Sequence, residues 1–207
     1  LVKDKKVDII IGGPPCQAYS IAGRAQDKNG MNNDYRNFLF ESFSEIVSEF
    51  KPDVFVFENV PGILSAKPGG VKVTDRIYQQ FKKIGYTIYK SDELKKAELI
   101  SSDFGVAQKR KRIIIIGVKK DSSINLKEIY TSINKQKCTT KTVRDVLFSL
   151  PKFYPKTTPT KKISHEGNSN LSSHTPRFHN TRDIKIFSNW IKNDMNSKPM
   201  DYKIDFY

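Results

Sequence analysis

Three short stretches carry side chains able to do covalent or acid–base chemistry. Residues 12–20 read GGPPCQAYS and hold a thiol, Cys16, directly after the apolar run VDIII of residues 7–11. Residues 54–58 read VFVFE and end in a carboxyl, Glu58, followed by NVPG. Residues 108–112 read QKRKR, with Gln108, Arg110 and Arg112 at alternate positions ahead of a run of isoleucines. A thiol and a carboxyl facing one pocket suit a nucleophile with an acid–base partner. Residues two apart in an extended segment project to one side, so the two arginines present a guanidinium pair able to hold a carbonyl oxygen or a carboxylate and keep Glu58 oriented.

Each stretch also has a plainer reading. A free cysteine is usually a small core residue, but the prolines and Gln17 around Cys16 fix one sulfur position, which core filling does not require. Glu58 could be a helix N-cap or a surface carboxylate; its place directly after an apolar strand instead suggests a carboxyl buried at a strand end, held protonated near neutrality and able to donate a proton. QKRKR could be a solvated face or a non-specific grip on phosphate.

The elements that must position these groups follow from apolar spacing. VDIII and VFVFE read as strands buried on both faces, each ending in a Gly- and Pro-containing turn. Leu39, Phe43, Ile46, Val47 and Phe50 recur at helical spacing and stop before Pro52. Residues 75–84 carry Ile77, Phe81 and Ile84 on one stripe, with Gly85 placed as a left-handed C-terminal cap. YTIY at 86–89 and RIIIIGV at 112–118 are further strands, and 142–151 is a short helix closed by Pro151. Periodicity fades between 119 and 140. Beyond 152 only residues 184–191 look helical. Strands alternating with helices predict an α/β fold with a doubly wound, mostly parallel sheet, and in such sheets ligands lie outside the carboxyl ends of the strands. The expected division is a catalytic region at 1–151 and the start of a second, smaller domain at 152–207.

Composition narrows the partners. Thirty-six Lys and Arg against 22 Asp and Glu give a net charge of +14, which favours a polyanion and nucleic acid first. The two cysteines, Cys16 and Cys138, are far apart, so a reducing compartment is expected and no disulfide framework. No paired Cys or His spacing suggests a metal site. No apolar run is long enough to span a membrane, and no secretory signal is visible.

GGPPCQAYS, DYRNFLFE at 34–41, FVFENVPG at 55–62 and FGVAQKRKRIIIIG at 104–117 resemble, in order and spacing, the central motifs of cytosine-5 DNA methyltransferases. The resemblance covers roughly residues 5–151 and implies the methyltransferase form of the Rossmann-like fold, with S-adenosylmethionine as methyl donor and duplex DNA as substrate. It implies that a flipped-out cytosine is attacked at carbon 6 by Cys16 and methylated at carbon 5. Glu58 would bind ring N3 and the amino group and donate a proton. Asn59 would orient the adjoining turn, Arg112 would contact the cytosine carbonyl oxygen, and Arg110 would support the pocket together with Gln108. Gln17 and Ser20 fall in the turn closing on the base. Residues 18–34 would be the mobile catalytic loop, with Arg24 meeting DNA phosphate, and Pro15 and Leu39 match cofactor-contact positions.

The family's glycine-rich cofactor motif and its last motifs have no counterpart here, so the sequence reads as part of a larger chain or one half of a split enzyme, with the missing N-terminal part or a complementary subunit as partner. The isolated piece is then expected neither to bind cofactor tightly nor to methylate. The tail corresponds to the entry into a target-recognition domain. The resemblance is to the modification half of bacterial restriction systems, which implies a cytoplasmic, nucleoid-associated protein. Two alternatives stand beside it: a transfer RNA cytosine-5 methyltransferase, and a non-catalytic DNA-binding subunit that retains the pocket.

Overall fold

The apolar runs become strands whose order in space differs from their order in sequence. In the computed structural model, which describes residues 6–15, 19, 38–156, 158, 160, 165–168, 170–172, 174 and 179–193, the elements are β1 (Ile9–Gly12), α1 (Leu39–Phe50), β2 (Val54–Asn59), α2 (Val73–Lys83), β3 (Tyr86–Thr87), β4 (Glu98–Ile100), β5 (Lys111–Lys119), α3 (Leu126–Lys135), α4 (Val143–Leu147), β6 (Tyr154–Pro155), β7 (His165–Glu166) and α5 (Thr181–Lys192). The chain divides into two compact units, Leu1–Val146 and Leu147–Tyr207.

In the first unit the main sheet has the order β1-β2-β5-β3, with β4 also paired to β5. β1 and β2 are parallel, whereas β5 is antiparallel to β2, β3 and β4. The fold is therefore α/β with a mixed sheet: β1 to β4 share one direction and the isoleucine strand opposes them all. Reversal of β5 decides where QKRKR lies. The start of an antiparallel strand meets the end of its neighbour, so residues 108–112 come to the edge where β1 and β2 finish; in a parallel strand they would sit at the opposite edge.

Strand parity sorts the side chains. Phe55, Phe57 and Asn59 pair with Gly117, Ile115 and Ile113, and α1 and α2 cover this face. Phe43 of α1 meets Phe55, Phe57 and Phe81 edge-on, with ring centroids 5.8, 5.3 and 6.3 Å apart, an arrangement that aromatic quadrupoles favour. Phe55 in turn lies across Gly117, where an added Cβ would meet the ring at 2.0 Å. Glycine interrupts the isoleucine run because an aromatic side chain occupies its place. The opposite face carries Val54, Val56 and Glu58, and beside them Ile9 and Ile11 are 56 % and 75 % exposed.

The helix stripe at 75–84 appears as α2, and Gly85 follows it at φ 88°. One element was too short to read and another was passed over. β4 is only three residues long. α3 lies in the stretch where periodicity seemed to fade, although Leu126, Ile129, Tyr130 and Ile133 share a helical face and the Asn125 side chain accepts from the Lys127 and Glu128 amides. The helix expected at 142–151 ends at Leu147, well before Pro151. In the second unit β6 and β7 form an antiparallel pair, and α5 is capped by the Asn180 side chain, which accepts from the Asp183 amide at 2.8 Å.

Candidate active site

The site is assembled where β1 and β2 end and β5 begins. β2 closes with Glu58 and Asn59, whose side chains point to opposite faces. Asn59 is fully buried on the α1 and α2 side. Its Oδ1 accepts from the Val60 amide at 2.9 Å, and its Nδ2 donates to the Pro14 carbonyl at 3.4 Å. One amide thus fixes its own turn and ties it to the turn after β1. Turns distant in sequence are joined by a group that can donate and accept at once.

Glu58 faces the other side, where Ile114 of β5 is opposite it and Arg112 is its diagonal neighbour. Arg112 Nε lies 2.5 Å from Glu58 Oε1. This buried Nε makes no directed hydrogen bond, so the contact is an ion pair held by charge, while an Nη1 proton is donated to the Lys111 carbonyl at 2.8 Å. Gly13 completes the wall: a Cβ there would stand 3.0 Å from Glu58 Oε2. The glycine lets the backbone come close to the carboxylate, which a side chain there would push aside.

Two sequence expectations are corrected here. Glu58 was expected to be buried, yet its side chain is 40 % exposed, because strand parity turns it away from the helices that bury Asn59. Gln108, Arg110 and Arg112 were expected to share one face of an extended segment. Instead, the Gln108 amide donates to Val106 at 2.8 Å and the Arg110 amide to Gln108 at 3.0 Å, a pair of tight three-residue turns in which two-residue alternation does not hold. Gln108 and Arg110 are exposed on this loop, and only Arg112 pairs with Glu58.

Ser101 holds the Arg112 loop and Tyr19 is anchored in the core, and sequence reasoning passed over both. The Ser101 amide donates to the Arg110 carbonyl at 3.0 Å, its hydroxyl accepts from the Arg110 amide at 3.0 Å, and the same hydroxyl donates to the Gln108 carbonyl. One serine therefore closes the loop that delivers Arg112. Its partners become visible only once the loop folds back. Tyr19 is 2 % exposed within the main core; burial first, and the Glu41 charge second, push its phenol well above the ordinary value. An aromatic three residues past the thiol was the available signal for an anchor.

Pro15 is exposed beside this turn, and Leu39 is half-buried at the start of α1. Cys16, Gln17, Ser20 and Arg24 lie outside the described residues. Among the described residues no cluster of His, Cys, Asp or Glu could hold a metal ion, and no helix is long and apolar enough to cross a membrane. Cys138, assigned no role from sequence, is exposed; its amide donates to the Asp103 carbonyl at 2.9 Å.

Comparison with known proteins identifies the family. The family model for C-5 cytosine-specific DNA methylases matches residues 2–204. The type II methyltransferase M.Bpa9945I of Bacillus paralicheniformis is 46 % identical over 155 residues, covering 72 % of this chain and 34 % of that protein. The type II methyltransferase M1.HphI of Haemophilus parahaemolyticus is 33 % identical over 201 residues, covering 96 % of this chain and 46 % of that protein. The chain thus spans between a third and a half of the length of these relatives. A crystal structure described as an E. coli DNA modification methyltransferase encoded within a prophage superposes with a TM-score of 0.56 at 28 % identity, over 82 % of this chain and 43 % of that one. With a family match over nearly its whole length, the chain belongs to the C-5 cytosine-specific DNA methylase family.

Proposed function

We propose that this chain carries the base-binding and nucleophilic part of an enzyme that methylates carbon 5 of a flipped-out cytosine in duplex DNA. The observation that carries this reading is the Glu58–Arg112 pair against Gly13, tied through Asn59 to the turn leading to Cys16. A cytosine edge presents a ring nitrogen, an exocyclic amine and a carbonyl oxygen. Glu58, on taking up a proton, donates to the ring nitrogen and accepts from the amine, Arg112 offers a donor to the carbonyl oxygen, and the open side of Glu58 leaves room for the base. Extrusion of the base is the general requirement for chemistry on a ring atom within a duplex.

In this mechanism the Cys16 thiolate adds to carbon 6, forming a carbon–sulfur bond, while Glu58 gives a proton to N3 so that negative charge does not build up on the ring. Carbon 5 gains electron density and takes a methyl group. Loss of the carbon 5 proton to a base, with return of the N3 proton to Glu58, then expels the thiolate and restores the ring. Arg112 orients both Glu58 and the substrate carbonyl, and Gln108 and Arg110 line the approach. Gln17 and Ser20 are assigned to the turn closing on the base and Arg24 to DNA phosphate.

S-adenosylmethionine is the proposed donor and supplies an electrophilic methyl group when bound. Pro15 and Leu39 offer it apolar surface only; neither side chain has a polar atom for its carboxylate or ribose hydroxyls, so they hold part of such a ligand. The residues beyond 151 are assigned to the start of a target-recognition domain. The missing N-terminal part or a complementary subunit is the proposed partner that completes the donor site. Isothermal titration of S-adenosylmethionine into the 207-residue chain should show no micromolar binding, and such binding would refute the need for that partner.

A pool of duplexes containing 5-fluorocytosine tests the reaction itself, because fluorine at carbon 5 blocks release. The protein containing this chain, given the donor, should form an adduct that survives denaturing electrophoresis, and Cys16→Ser should form none. Adduct with transfer RNA alone would replace DNA by RNA as substrate; no adduct with either would leave a binding subunit.

A further inference from the structure

A second groove lies at the sheet edge remote from Glu58. It encloses about 1020 Å³ where β3, the end of β5 and α3 meet, and Lys90, Lys96, Lys119, Lys120 and Lys127 line it with the single acid Glu93. Arg112 and Lys119 are seven residues apart on β5, which at strand rise is about 23 Å. The groove therefore cannot share a ligand group with the Glu58–Arg112 site.

We propose that this groove binds phosphate groups, and that their source is the backbone of a nucleic acid. Glu93 is already paired with Lys96 at 2.7 Å. Lys90, Lys119, Lys120 and Lys127 form no ion pair among the described residues, although β5, α3 and the loops after β3 and β5 bring them to one groove. Glu93 is the one acid beside them and also feels the Lys90 charge, so the remaining cations repel one another unless an anion lies between them. The volume exceeds that of a single phosphate, which favours an extended polyanion.

The aromatic residues indicate which part of the nucleic acid is held. Tyr89 stacks on Tyr130 with centroids 4.6 Å apart, and Lys96 lies 6.0 Å from the centre of the Tyr89 ring. The Tyr130 hydroxyl is already bonded to the backbone of β5. Tyr78 also lines the groove, with Lys82 5.9 Å from its ring centre; with the other two rings stacked on each other, the lysine point charges dominate recognition, which is then largely independent of sequence.

The test uses the 207-residue chain and a short duplex of A·T pairs only, which offers no cytosine to the catalytic edge. Anisotropy measured from low to moderate salt gives the slope of log affinity against log salt. For the triple variant Lys119→Gln, Lys120→Gln, Lys127→Gln that slope should be shallower by about 2 to 3, because each phosphate contact contributes about 0.9. The same difference should appear in a Glu58→Gln background. In a parallel arm pyrophosphate is titrated and followed by amide chemical shifts. If the variant loses pyrophosphate binding but keeps the duplex slope, the phosphate chemistry stands and its source is a free polyphosphate. Unchanged slope and unchanged pyrophosphate binding would overturn the proposal. Lysine acetylation of the unmodified chain supplies a check that needs no variant: duplex should protect Lys119, Lys120 and Lys127 several-fold, and equal acetylation with and without duplex would also overturn it.

Discussion

Asn59 and Gly13 do more for the candidate site than their size suggests. Asn59 is wholly buried, and its amide serves one donor and one acceptor need at once. Asn59→Asp keeps an acceptor for the Val60 amide but turns a second oxygen toward the Pro14 carbonyl. Such a buried mismatch costs about 1–3 kcal/mol, so a lower urea midpoint is expected together with loss of the 5-fluorocytosine adduct. Gly13 tests a different property. Because an added Cβ would lie 3.0 Å from Glu58 Oε2, Gly13→Ala should displace the carboxylate while hardly changing the melting temperature. Adduct formation should fall at least tenfold, and unchanged adduct formation would mean that the approach of Gly13 to Glu58 has no part in catalysis.

At the scale of elements, β5 is held by groups that no strand provides. Opposite β2, β3 and β4 pair with its two ends and leave the stretch between them without a strand on that side. There the Tyr130 hydroxyl accepts from the Ile116 amide at 3.0 Å and donates to the Ile114 carbonyl at 2.8 Å. Tyr130→Phe strips both groups of that partner and should cost about 1–3 kcal/mol in chemical denaturation. Tyr86 gives a pH signature. Burial first, and the Asp53 charge second, raise its phenol from the ordinary 10 to about 12, while its hydroxyl donates to the Pro52 carbonyl at 2.6 Å. The folded chain then keeps a proton that the unfolded chain loses. Its contribution is complete below pH 10 and is lost as the pH rises toward 12, so stability should drop across that window and drop less in Tyr86→Phe. Equal slopes in the two proteins would remove Tyr86 as the cause.

Seen as a whole, the first unit presents one face covered by helices and one with an open apolar strip at Ile9 and Ile11. A sheet edge with exposed β-branched residues is a template for association. The 207-residue chain should therefore self-associate, with Ile11→Lys shifting sedimentation toward the monomer; a monomer at all concentrations before substitution would show that the strip is covered. The net charge of +14 acts over longer range and favours polyanions, yet charge alone did not reveal that five lysines share one groove.

The sequence by itself determined the strand cores, the first two long helices, the turn glycines and the chemical identity of Glu58 and Arg112. These are local matters: apolar periodicity, backbone freedom and side-chain type are written residue by residue. Tertiary structure decided the rest, because direction and register depend on partners far along the chain. Reversal of β5 brought Arg112 beside Glu58, and strand parity sent Asn59 into the core and Glu58 toward the open face. α3 was readable from its spacing and its Asn125 cap, whereas Ser101 was not. Its role exists only when the loop to Arg110 returns to it, and nothing in a serine among polar neighbours specifies that return.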